Sequence, residues 1–179
     1  PEAIKMAPVY FELKKCPEFS VKIILTAQHR SMLDQIMNFF ELKADYDLNI
    51  MKENQDLFDI TTHVLIGLKE VISKDKPDLI LVHGDTTTTF AASLAAFYFK
   101  IDVGHIEAGL RTFDKYSPFP EEMNRKLTSS IAKFHFAPTL ESKKNLLNES
   151  ITENSIYVTG NTVIDALYFS LEKIKKSKR

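Results

Sequence analysis

Residues 77–85, PDLILVHGD, form a near-continuous apolar run closed by a glycine and an acid, and runs of this kind alternate with helix-like stretches along the whole chain. SVKIILT (20–26), YDLNIM (46–51), IDVGHIEAG (101–109), HFAPT (135–139) and SIYVTGN (155–161) are the other β-prone segments. Strands that are apolar on both sides, rather than alternating, are covered on both faces, which is the signature of a parallel sheet. Parallel neighbours require crossovers, and the stretches between the runs supply them. PEAIKMAPVYFELKK opens the chain as a helix, and RSMLDQIMNFFEL puts Met32, Ile36, Phe39 and Phe40 on one helical face. DLFDITTHVLIGLKEVISK spaces Leu57, Ile60, Val64, Leu68, Val71 and Ile72 by threes and fours. TTTTFAASLAAFYF, EEMNRKLTSSIAKF, LESKKNLLNES and VIDALYFSLEKIKK complete the alternation. The expected fold class is α/β, a doubly wound, Rossmann-like parallel sheet reached by right-handed crossovers.

Length and composition agree with this architecture and narrow the function. With 179 residues, 44% of them hydrophobic, the chain forms one sizeable core and is read as a single domain over 1–179. Positive and negative charges nearly cancel, 23 against 24, and the basic residues are scattered apart from the C-terminal KIKKSKR, a solvated helix end. No nucleic-acid footprint is present. Cys16 stands alone, which excludes an intrachain disulfide and a multi-cysteine zinc site and fits a reducing compartment. No run is apolar enough to cross a bilayer and no signal peptide is present, so the expected location is the cytoplasm, away from membranes. The chain begins PEAIKMAP, a helix start without a strand before it. A domain of this topology opens on a central strand, so the first strand is expected to be missing and the isolated chain to be poorly stable.

In this fold class ligands bind beyond the carboxyl ends of the strands, and Gly84, Gly109 and Gly160 all sit just past strands. Three carboxylates follow such ends. Asp85, in HGDTTTT, either caps the next helix or serves as a base beside that helix's N-terminus. The four threonines lack the glycines and lysine of a Walker loop. In VGHIEAGLRT, strand alternation places His105 and Glu107 on one face, with Arg111 in the loop beyond as a candidate substrate contact or as an ion-pair partner of Glu107. His-x-Glu lacks the downstream Cys-x-x-Cys of a zinc deaminase, and no metal is assigned. In YSPFPEEMNRKL, Glu121 and Glu122 occupy a first helical turn with Arg125 and Lys126 each four residues on, an arrangement that helix stability alone explains. Convergence favours chemistry: Asp85, Glu107 and Glu121 come to one sheet edge, where they can divide acid and base roles. His63 and His135 are read as structural. No Gly-x-Ser-x-Gly elbow occurs.

PEAIKMAP, LTAQHRSMLDQ, DLNIM, PDLILVHGDTTTT, SLAAFY, VGHIEAGLRT, YSPFPEEMNRKL and VTGNTVIDAL, in this order over nearly the whole chain, resemble the N-terminal half of the non-hydrolysing UDP-N-acetylglucosamine 2-epimerase family. The resemblance implies the first of two Rossmann-like domains in a glycosyltransferase-B arrangement. It also implies a cofactor-free, reversible conversion of UDP-N-acetylglucosamine to UDP-N-acetylmannosamine for envelope polysaccharide or another glycan. By motif, Asp85, Glu107 and Glu121 match the family's acid/base carboxylates, and Lys5 matches the lysine of its nucleotide-side loop. Gln28 matches a contact to an activating second substrate molecule, whereas Ser31 and Asn54 depart from the glutamine and arginine of regulated members. The Gly-Thr-Arg that precedes the proline in the family, and its second domain, are absent, so the chain alone is expected to be inactive and the full-length protein to form a homodimer. A hydrolysing epimerase that releases N-acetylmannosamine and UDP, a transferase of the same architecture, and a non-catalytic nucleotide-binding module are the alternatives.

Overall fold

The computed structural model describes residues 2–26, 30–50 and 54–177. Parallel strands alternate with helices along the chain, so the α/β class expected from the apolar runs is the one observed. The chain divides into two compact units, residues 1–49 with 161–179, and residues 50–160.

In the first unit, α1 (Glu2–Lys14), α2 (Arg30–Phe40) and α7 (Thr162–Ser177) accompany two short parallel strands, β1 (Ile24–Leu25) and β2 (Tyr46–Asp47). Its core is Ala7, Ile36, Met37, Phe40 and Leu42, with Ile4, Phe11, Leu25 and Phe169 packed against them. Phe11 and Phe169 stack at 5.6 Å between α1 and α7. The buried stripe of α2 is turned by one position from the one expected. Met37 is buried, while Met32 and Phe39 are exposed. Leu33, Ile36, Met37 and Phe40 follow the i, i+3, i+4, i+7 rule, and a neighbouring apolar row was read in its place.

The second unit holds α3 (Leu57–Lys74), β3 (Leu79–His83), α4 (Thr87–Tyr98), β4 (Asp102–Ile106), α5 (Glu121–Ile131), β5 (Phe134–Ala137), α6 (Leu140–Asn148) and β6 (Ile156–Val158). The strands form one parallel sheet in the order β3-β4-β5-β6, with His83 opposite Ile106 and His105 opposite His135. The long helix α3 buries Ile60, Val64, Leu68, Val71 and Ile72 as its spacing predicts, leaving Leu57 partly exposed. A capping box starts it: Asp56 Oδ1 accepts from Asp59 N at 2.9 Å, and Asp59 Oδ2 accepts from Asp56 N at 3.1 Å. Among the described residues no helix is long and apolar enough to cross a membrane.

Gly109, in the turn after β4, lies directly against α6. Its φ is +87°, and a Cβ there would stand 2.2 Å from Ser142 O. Gly160 has a similar φ of +79° but faces open space. Gly109→Ala therefore carries both a steric and a conformational cost, about 2–5 kcal/mol together, whereas Gly160→Ala carries only the conformational one, about 1–2 kcal/mol. Denaturant melts of the two variants are expected to separate accordingly.

Two histidines lie side by side inside the sheet. His105 is wholly buried and His135 nearly so. Burial pushes His105 down to about 4, against the opposing effect of its bond to Gly84 O, with His135, Arg111 and His83 adding to the depression. Burial likewise takes His135 to about 4, opposed by its bond to the Ala132 backbone and assisted by Arg111. Above pH 6.5 both histidines are neutral whether folded or unfolded, and stability is unaffected. Below it the unfolded chain takes up protons that the folded chain refuses. Stability is therefore expected to fall as pH drops from 6.5 to 4, by about 3 kcal/mol per histidine at the lower end. NMR titration of the ring carbons checks this directly, since both rings should stay neutral through pH 6; titration near 6.5 would contradict it.

Candidate active site

The carboxyl ends of β3 and β4 are in register, and the turns that leave them carry the two acids. Beyond His83, Gly84 takes φ +72° and its N-H donates to Ile106 O at 2.9 Å, extending the ladder into the turn. His105 Nε2-H, from β4, donates to Gly84 O at 2.7 Å. The turn carrying Asp85 is thus held from both sides by β4.

The question of capping is resolved by the next residue. Thr86 is the N-cap of α4, its Oγ1 accepting from Thr89 N at 3.2 Å, and Thr89 Oγ1 in turn donates to His83 O at 2.6 Å. The Asp85 carboxylate is therefore not used as the cap. Its Oδ2 accepts from Arg125 Nη2 at 2.5 Å, its backbone carbonyl accepts from Asn124 Nδ2 at 2.9 Å, and its side chain remains 27% exposed.

Glu107 departs from the expected geometry. The strand ends at Ile106, and Glu107 has φ +65°, a left-handed conformation that breaks the alternation meant to align it with His105. The reversal brings its Oε2 to 3.9 Å from His83 Nε2, at the end of the neighbouring strand. The ion pair between Glu107 and Arg111, the alternative reading of these residues, is not formed. Arg111 has a wholly buried side chain. It makes a two-pronged bond to Glu149, Nε to Oε1 at 2.9 Å and Nη2 to Oε2 at 2.7 Å, and its remaining donors reach Ser129 Oγ and Leu110 O. These bonds, ahead of burial's opposing effect, hold the Glu149 carboxyl below its ordinary value. Arg111, a candidate substrate contact by sequence, is thus committed to the protein itself.

The helix α5 differs most from its sequence reading. Its buried residues, Glu122, Asn124, Thr128 and Ser129, are all polar, while Leu127 is 39% exposed. Arg125 does not pair with Glu121 four residues back. It bridges Asp85 and Glu122, the latter at 3.1 Å from Nη1. Glu122 is wholly buried, and its oxygens also accept from Thr112 N at 3.2 Å and Phe113 N at 3.0 Å. Glu121, at the first position of α5, is half-buried, and its Oε2 is buried with no hydrogen-bond partner among the described residues. Glu122, Asn124 and Arg125 were thus missed as site residues. The signal available was the narrow apolar stripe at 123, 127 and 131, less than a core-facing helix ordinarily carries.

Asp85 and Glu107 consequently stand past adjacent, in-register strand ends, and α5, which Glu121 begins, is bonded to Asp85 through Asn124 and Arg125. The loop between β4 and α5 presents Phe113, Tyr116 and Phe119 to solvent. Lys5 lies half-buried on α1 in the other unit, and Gln28 lies outside the described residues. Among the described residues no three His, Cys, Asp or Glu side chains gather closely enough to hold a metal ion.

Residues 11–179 match the family model described as UDP-N-acetylglucosamine 2-epimerase. A UDP-N-acetylglucosamine 2-epimerase of Neisseria meningitidis is 65% identical over 175 residues, covering 98% of this chain and 47% of the relative. That of Bacillus subtilis is 62% identical over 167 residues, covering 93% of this chain and 44% of the relative. The crystal structure of the Neisseria meningitidis UDP-GlcNAc 2-epimerase bound to UDP-GlcNAc superposes with a TM-score of 0.95 at 64% identity, over 99% of this chain and 49% of that one. The Methanocaldococcus jannaschii UDP-GlcNAc 2-epimerase in complex with UDP-GlcNAc and UDP gives 0.90 at 41% identity, over 97% and 48%. The chain spans about half the length of the relatives it matches. It belongs to the UDP-N-acetylglucosamine 2-epimerase family.

Proposed function

We propose that the full-length protein interconverts UDP-N-acetylglucosamine and UDP-N-acetylmannosamine without hydrolysis, and that this chain is its N-terminal, Rossmann-like domain in a two-domain, glycosyltransferase-B type arrangement. The observation that supports this best is the meeting of Asp85, Glu107 and the start of α5 at one edge of a parallel sheet, in a family whose relatives have been crystallised with UDP-GlcNAc. Epimerisation at carbon 2 requires breaking a C-H bond that is only weakly acidic. Loss of UDP from carbon 1 as the carbon 2 proton departs forms a carbon–carbon double bond, and the bonding pair leaves with the diphosphate oxygen. Re-addition of UDP and delivery of a proton to the opposite face of carbon 2 completes the inversion. This requires acid/base groups on both faces of the sugar, the roles given to Asp85, Glu107 and Glu121.

Glu121 brings a buried carboxylate oxygen with no partner among the described residues. Glu107 is held in a left-handed conformation of the kind that collects at working sites. Lys5 is assigned to the nucleotide diphosphate and Gln28 to a second nucleotide sugar. Arg111 acts by tying the post-β4 loop to Glu149. No cofactor or metal takes part in this scheme. A cytoplasmic homodimer that feeds polysaccharide synthesis completes the reading, and the 179-residue chain alone is inactive, spanning about half the length of its relatives.

In the full-length protein, Asp85→Asn is expected to abolish epimerisation, by at least about 100-fold in kcat, while UDP affinity stays within a few-fold. Retained turnover would remove Asp85 from the mechanism. Chromatography of the products distinguishes UDP-ManNAc from free N-acetylmannosamine, the product of a hydrolysing enzyme. Glu107→Gly is expected to raise stability by about 1 kcal/mol, by relieving the left-handed backbone, while eliminating turnover. A thermal melt set beside the same product assay checks both halves.

A further inference from the structure

The Asp85 carboxylate is bonded to a side chain of α5, and the bonds that fix this side chain are all within one unit. Arg125 is only 14% exposed and has a carboxylate on each side: Asp85 at 2.5 Å and wholly buried Glu122 at 3.1 Å. Guanidinium geometry lets the two nitrogens address separate carboxylates from one fixed plane, which a lysine's single ammonium cannot do. Glu122 also accepts from the N-H groups of Thr112 and Phe113, one on each of its oxygens. Phe113 has φ +66°, so the turn it occupies depends on those bonds. Asn124, on the same helix, fixes the Asp85 backbone, leaving the carboxylate's direction to Arg125.

From this geometry we infer that Arg125 is the positioning residue for Asp85, and that Glu122 sets Arg125 while anchoring the aromatic loop that starts at Thr112–Phe113. The inference deepens the epimerase reading and rests on it for its kinetic consequences. A misdirected acid/base group loses rate without losing substrate, so the split between rate and UDP affinity separates a positioning role from a nucleotide contact.

The experiment is steady-state kinetics on the full-length protein with UDP-GlcNAc, accompanied by UDP titration and a thermal melt. For Arg125→Gln, kcat is expected to fall about 100-fold, with KM and the UDP dissociation constant within about threefold of the unsubstituted values. Arg125→Lys should recover about a tenth of the lost rate, because it restores charge but not the two-way bridge. Glu122→Gln is expected to reproduce the same split between kcat and KM. A kcat for Arg125→Gln within threefold of normal overturns the inference. So does a loss of UDP affinity that matches the loss in kcat, which would make Arg125 a substrate contact. A crystal structure of Arg125→Gln provides the readout that does not require turnover: the Asp85 carboxylate is expected in a different rotamer, with the Asn124 bond to its carbonyl retained. An unmoved Asp85 overturns the proposal even if the unsubstituted protein proves not to be an epimerase.

Discussion

A carboxylate without access to water must be given donors, and the way Glu122 obtains them organises the site. Its three partners come from two places, the backbone of the loop after β4 and the guanidinium of Arg125 on its own helix. Removing either would leave buried charge uncompensated, at a cost of about 3–5 kcal/mol, so the loop, α5 and Arg125 are bound together. Arg125 gives Nη1 to Glu122 and Nη2 to Asp85, while its Nε is buried with no partner among the described residues. The acid at the mouth of β3 is thereby positioned by a helix that follows β4, which makes the relation between two successive crossover units a condition of the site.

The same principle recurs one strand further on. Arg111 leaves β4 in a loop and is buried against Glu149 and Ser129, while Asn145 of α6 donates to Gly109 O at 3.0 Å. The loop lies so close to α6 that only a glycine fits at 109. A loop of this length that bears three exposed aromatic rings would otherwise be the most mobile part of the unit. Here its start is tied to α6 and its middle to α5, so the rings project from a fixed base.

What could be read in the sequence was what depends on local periodicity. Apolar runs of strand length and the three-and-four spacing of Ile60, Val64, Leu68, Val71 and Ile72 predicted elements that the structure has, because burial of apolar surface is the dominant driving force and is written residue by residue. The location of Asp85 and Glu107 past neighbouring strand ends followed from topology alone. What escaped was whatever depends on polar burial. Glu122 reads as ordinary helix-start chemistry, and nothing local reveals that its partners are an arginine on the same helix and backbone groups of a remote turn. The ion pair between Glu107 and Arg111, one of two alternatives for Arg111, is not found for the same reason: proximity in sequence suggests it, but Glu149, 38 residues on from Arg111, offers the two-pronged geometry. The α2 stripe, by contrast, was a choice between two adjacent apolar rows, decided by which row the first unit's core could accept.

Glu107 shows why a site can disobey its own strand. Had β4 continued with regular alternation, Glu107 would have shared a face with His105, which is wholly buried within the sheet, and its carboxylate would have been taken out of water. The left-handed turn at φ +65° takes the side chain out of that position and sets it against His83, at the end of the adjacent strand. The conformational cost, about 1–2 kcal/mol, is smaller than the cost of an unsolvated carboxylate. A glycine at 107 would make the same turn freely but bring no carboxylate, and an in-line glutamate would bring one to the wrong side of the sheet. The strained backbone is therefore the least costly way for a glutamate at this strand end to reach the edge where Asp85 stands.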